Sequence, residues 1–346
     1  MSSLQMGLAM AGGLLLAAVV AHGAWQSRKN RLLQAQPEPE GANSDPQIEP
    51  VLDTDATPSG FERPPTPRGR PSKRVGLDAL IDALVPVALD GVVSGDAVLA
   101  ALPPSRRVGS KSWAVEGLNI STGQWEAPQA GHRYQSLQAG VQLANRTGPL
   151  NEIEYSEFVL KVQNFADAVN GAPDFPEMIE QVQHGRELDQ FASSHDAQLS
   201  FTLRAGNAAW SPGYVQQHAA RLGFVPGSMP GRMVMPSQTS GMPPILFLSF
   251  SAQAALAEDL EHSALREVTL SLDVPQVSRS EQPFLRMRAV AHDLSTSMDG
   301  LLTDDNGHPL PEPALDHIGQ DLDMLYDTLE LRDLAAGSPQ ARRLFS

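Results

Sequence analysis

The sequence predicts an α+β fold, an antiparallel sheet with helices on one face, set behind an N-terminal transmembrane helix and a disordered linker. Three observations predict it. Residues Met6–Trp25 form one long apolar run. Residues 32–74 hold nine of the 28 prolines and few apolar side chains. From residue 198 onward, period-two stretches and helical stretches follow one another as strand, helix, three strands, two helices. An antiparallel sheet under one helical layer satisfies that order.

The apolar run MGLAMAGGLLLAAVVAHGAW has no Asp, Glu, Lys or Arg. At 1.5 Å per residue, about 20 residues span roughly 30 Å, the hydrocarbon thickness of a bilayer. A cleaved signal peptide is the alternative, but no Lys or Arg precedes Arg28, as signal peptides require. The basic residues Arg28, Lys29 and Arg31 follow the run, which places the N-terminus outside and the rest of the chain in the cytoplasm. Trp25 suits the headgroup level, and His22 reads as an interfacial residue rather than a ligand.

Residues 28–74 read as a basic, Pro-rich disordered linker that cannot bury a core. About 43 residues of such chain reach roughly 35–40 Å on average. The string Arg63-Pro64-Pro65-Thr66-Pro67-Arg68 is also compatible with a proline-binding partner, although a tether explains it more simply.

The clearest elements lie late. Gln198–Arg204 alternates apolar and polar. Pro212–Phe224 reads as a helix, with Ser211 as N-cap, Pro212 in the first turn and Gly223 at the end. Strands follow at Arg232–Met235, Ile245–Phe250 and Glu267–Val274, the last with Val268, Leu270, Leu272 and Val274 on one face. Helices follow at about Glu281–Met298 and Pro313–Leu331, separated by a turn at Asp304–Gly307.

Residues 75–195 read as either a degenerate copy of this unit or an unrelated extension packed on it. Ala83–Leu89, Trp113–Leu118 and Ser136–Asn145 suit strands, and Ser94–Leu102 suits a helix. A further helix opens at Phe158 and ends near Gly171, as one opening at Phe284 ends near Gly300. The resulting division is 1–27, 28–74, 75–195 and 196–346.

Composition excludes several functions. Formal charge is −15, and residues 75–346 carry 17 basic against 33 acidic side chains. So acidic a folded part is a poor nucleic-acid binder. The chain has no cysteine, which removes disulfides, thiolate metal sites and cysteine nucleophiles. No HExxH, GxSxG, GxGxxG or Walker A string occurs, and the nine histidines show no metal spacing. Gly109-Ser110-Lys111-Ser112 lacks the order of a phosphate loop and reads as an ordinary loop. Asp304-Asp305-Asn306-Gly307 lacks the alternation of a calcium loop. No cofactor, metal or small-molecule substrate is expected, and no catalytic residue is assigned.

A specific string lies at the end of the apolar run. His22-Gly23-Ala24-Trp25-Gln26-Ser27-Arg28-Lys29-Asn30-Arg31 resembles the end of the anchor in the ZipA family of bacterial cell-division proteins, which reads H-G-x-W-x-S-R-K-x-R. Late strings resemble that family's C-terminal domain too: Leu222-Gly223-Phe224, Pro244–Phe250, Val268-Thr269-Leu270 and Leu301–Asp305. The resemblance implies a split β-α-β domain and a non-catalytic adaptor at the cell inner membrane, binding lipid at one end and the FtsZ C-terminal peptide at the other. It implies a peptide groove lined by Met229, Leu248, Phe250, Ala252, Thr269, Ser271 and Asp273. Ser271 and Ala252 replace larger apolar residues of the family, so the groove should be shallower and more polar. Those two replacements leave open a scaffold for a different division or envelope protein with FtsZ binding lost; a membrane-anchored enzyme is the less favoured alternative.

Overall fold

The computed structural model describes residues 76–256, 264–304 and 306–346. The expected membrane anchor, with His22, Trp25, Arg28, Lys29 and Arg31, and the linker lie outside the described residues, as does Asp305. No helix among the described residues is long and apolar enough to cross a membrane.

The first module starts with β1 (Asp82–Leu89), whose alternation turns Ala83, Val85 and Val87 into the core. Helix α1 (Gly95–Ala101) is capped by Ser94, whose Oγ accepts the Ala97 N–H. Strands β2 (Lys111–Asn119) and β3 (Arg133–Gln142) follow. Helix α2 (Glu152–Ala168) begins in a capping box in which Asn151 and Glu154 satisfy each other's backbone N–H groups. Strand β4 (Gly171–Pro173) and helix α3 (Met178–His195) complete the module. The strand order is β2-β3-β1-β4, all antiparallel. One face packs under helices, where Trp113 meets Phe158 edge-on at 6.0 Å.

The second module comprises β5 (Gln198–Ala205), α4 (Pro212–Arg221), β6 (Val225–Pro226), β7 (Arg232–Met235), β8 (Leu246–Ser249) and the helical turn α5 (Ala252–Ala255). It continues through β9 (Glu267–Asp273), α6 (Pro283–Ser297), β10 (Gly300–Thr303) and α7 (Glu312–Leu331). Its sheet runs β6-β7-β8-β9-β5-β10, also antiparallel. Setting aside the added β6–β7 hairpin, the order β8-β9-β5-β10 repeats the first module's β2-β3-β1-β4. The turns into β4 and β10 repeat as well. Each passes through a non-glycine residue in the left-handed region, Asn170 (φ 51°) and Asp299 (φ 51°), followed by glycine. Asn and Asp tolerate that conformation better than other side chains.

The short pieces β4, β6, β10 and α5 add to the sequence expectation, as do α3 and a closing helix α8 (Pro339–Leu344). Helix α8 packs at the junction of the modules. The Gln142 amide donates to the Arg343 carbonyl at 2.6 Å, and Gln276 Nε2 donates to the Phe345 carbonyl at 2.6 Å. Arg343 also pairs with Asp82, whose side chain is fully buried. A second tie is Arg146, whose guanidinium donates to Asp196 and Asp273 at 2.6–2.8 Å. Burial opposes the charge on Arg146, but the two carboxylates outweigh it and hold the guanidinium protonated more firmly than usual.

Lys111 corrects the loop reading of residues 109–112. It opens β2 and is 1% exposed. Its Nζ donates to Ser110 Oγ (2.7 Å) and Asn145 Oδ1 (3.1 Å), and Glu154 lies 3.9 Å away. Desolvation lowers the lysine pKa, against the pull of Glu154. This cluster fastens the start of α2 to the sheet.

Candidate sheet-face recognition site

The second sheet's faces follow from its register. On β9, Val268, Leu270 and Leu272 are buried under the helices, so Thr269, Ser271 and Asp273 point the other way. Cross-strand partners share a face. Phe247 pairs with Ser271 and Val234 with Phe247, while Ser200 pairs with Ser271 on the other side. The row Val225, Val234, Phe247, Ser271, Ser200 therefore crosses the sheet on the face away from the helices. A second row carries Arg232, Ser249, Thr269 and Thr202. The Arg232 guanidinium lies 4.2 Å from the Phe247 ring centroid, a cation–π contact that holds both side chains against the sheet. The face is apolar at the β6–β8 end and carries half-buried hydroxyls at Thr269 and Ser271 of β9 and Ser200 of β5, while Thr202 is buried.

The seven groove residues expected from sequence separate into four places. Thr269 and Ser271 lie on the open face, half-buried. Asp273 starts from that face, but its carboxylate is taken by Arg146. Leu248 is corrected: it pairs with Leu270 and is 0% exposed, so it is core. Phe250 and Met229 are also displaced. Phe250 lies past the end of β8, with its N–H donated to the Gly231 carbonyl. With Met229, Phe224, Met233 and Ala255 it lines an edge cavity of about 440 Å³ beside the end of α4. Ala252 opens α5 and is exposed. Phe247 and Val234 are the apolar residues that sequence reasoning missed. Pairing the apolar face of β9 with β8 would have identified them, since Phe247 is the one bulky residue of β8 out of phase with Leu246 and Leu248.

Among the described residues, no group of three or more His, Asp or Glu side chains could hold a metal ion. Buried Tyr155 and Tyr326 are pushed up to about 12, mainly by desolvation, but both lie away from this face among the helices. A sheet packed on one side and half-open on the other is an α+β architecture with one face left for a partner to reach. Residues 207–321, which carry the hairpin, β8, β9 and α6, match the family described as ZipA, C-terminal FtsZ-binding domain. No curated protein matches the chain.

Proposed function

We propose that this protein is a non-catalytic adaptor that tethers FtsZ filaments to the cytoplasmic membrane and supports assembly of the division ring. The observation that carries the reading is the match of residues 207–321 to an FtsZ-binding domain whose sheet offers an open face with Val234 and Phe247 on it. The FtsZ C-terminal peptide would seat across β7, β8 and β9, with apolar side chains at Val225, Val234 and Phe247 and polar ones over Ser271 and Thr269. The apolar run Met6–Trp25 and the basic cluster after it support a single-pass anchor in the inner membrane, with the sheet modules in the cytoplasm. The repeated strand order supports reading the first module as a copy of the second, and supports a boundary near residue 196. Weak binding at each site would suffice, because many anchors on one membrane engage one filament.

The test is titration of the chain, in detergent, with a fluorescent peptide copying the FtsZ C-terminus of the same organism. Phe247→Asp should weaken binding by at least about tenfold, or ~1.4 kcal/mol. Phe250→Asp, at the edge cavity, should leave it within about threefold. The reverse ranking moves the site to the edge cavity. No binding up to about millimolar peptide, worth only ~4 kcal/mol, sinks the peptide-groove model. That result would favour the second reading, a scaffold for a different division or envelope protein, which the hydroxyls of Ser200, Ser249, Thr269 and Ser271 support.

A further inference from the structure

The first sheet has the same strand order, but its face away from the helices is not free. Residues 76–78, which follow the Pro-rich segment, lie on it. The row Ala114, Gly140, Leu84 crosses that face in register. Leu77 sits over it: a Cβ built on Gly140 would stand 2.7 Å from Leu77 Cδ2 and 3.0 Å from Leu84 Cδ2. Gly140 thus makes the hollow that Leu77 fills. Beside it, Glu116 is 6% exposed. Its Oε1 accepts the Leu77 N–H at 2.9 Å, and its Oε2 accepts the Gln138 amide at 2.9 Å. A carboxylate this buried must find donors, and the arriving backbone supplies one. The segment is then fixed from the other side. Asp78 turns the chain into β1 by accepting the Leu80 N–H, and Gln340 of α8 donates to Asp78 at 2.8 Å.

We infer that the face of the first sheet away from its helices is an intramolecular docking site for the chain's own residues 76–78. The first module holds the end of the tether, and one chain offers one face to a partner peptide, not two. The second clause rests on the proposed function; the first does not.

The absence of cysteine makes the test clean. In the full chain, the pair Leu77→Cys/Gly140→Cys should be joined by a short bis-thiol cross-linker at least about tenfold faster than Leu77→Cys/Ser271→Cys, whose second thiol lies on the other sheet. Equal rates overturn the inference. Since both pairs alter the face, hydrogen exchange on the unmodified chain supplies a second readout. The Leu77 amide should exchange at least about tenfold slower than an unprotected amide, and free exchange overturns the inference. Peptide titration then counts sites. One site per chain agrees, whereas two sites overturn the single-face clause and leave the adaptor reading standing. If no peptide binds, the adaptor reading falls, and cross-linking and exchange decide the docking site alone.

Discussion

The two sheets share a strand order and differ in what lies on their open faces. The first face is built from small residues, Ala114 and Gly140, and is filled by Leu77. The second carries Val234 and Phe247 at one end and hydroxyls at the other. Topology decides that each sheet has a face away from its helices; the side chains at the middle of each row decide what that face holds. A glycine there makes a hollow for a leucine of the same chain. A phenylalanine under an arginine leaves an amphipathic surface for something else.

The comparison can be broken hardest at the core. Leu248→Ala, a residue once expected in the groove, should cost about 2–5 kcal/mol in denaturant unfolding, since it opens a cavity under the helices. A cost under about 0.5 kcal/mol would mean that Leu248 faces solvent after all. Next comes matched substitution of the two rows. Gly140→Val overfills the Leu77 hollow and should cost about 1–3 kcal/mol, whereas Ser271→Val on the open row should stay within about 0.5 kcal/mol. Equal costs would show that the second face is covered like the first. A finer contrast lies in two buried tyrosines. The Tyr155 hydroxyl donates to the Pro176 carbonyl, whereas that of Tyr326 is buried without a hydrogen-bond partner. Tyr155→Phe should therefore cost about 1 kcal/mol and Tyr326→Phe about nothing.

A further contrast is in the pH profile. Both tyrosines are held up to about 12 by burial, against about 10 in an unfolded chain. The folded state keeps these protons longer. Each group thus contributes stability that is fully present below pH 10 and lost as pH rises from 10 to 12. Each Phe variant should show a shallower fall over that range in unfolding midpoints; an unchanged slope would mean that the hydroxyl is solvated.

How much of this was legible in the sequence depends on residue pattern and reach. The alternation of Val268, Leu270 and Leu272 gave β9 and its buried face directly, and Ser211-Pro212 gave the start of α4. The run Ile245–Phe250 is apolar at five of six positions, so it marks a strand without marking its outward side. The resemblance, carried over by position, puts Leu248 in the groove, and nothing in the run itself points to Phe247 instead. Asp273 looked free because its partner, Arg146, is 127 residues away. Lys111 looked like a loop residue because a buried lysine is visible only through the Asn145 and Glu154 that surround it. Short pieces such as β6 and β10 carry too few residues for any period to show.

The pairing of Arg343 with Asp82 also sets a schedule for biosynthesis. The carboxylate of Asp82 is fully buried at the head of the first strand, and its guanidinium partner comes 261 residues later. At roughly 5–20 residues per second, a ribosome takes about 13–52 s to cover that distance. Until then the first module lacks the counter-charge its interior needs, so it closes only once α8 has been made.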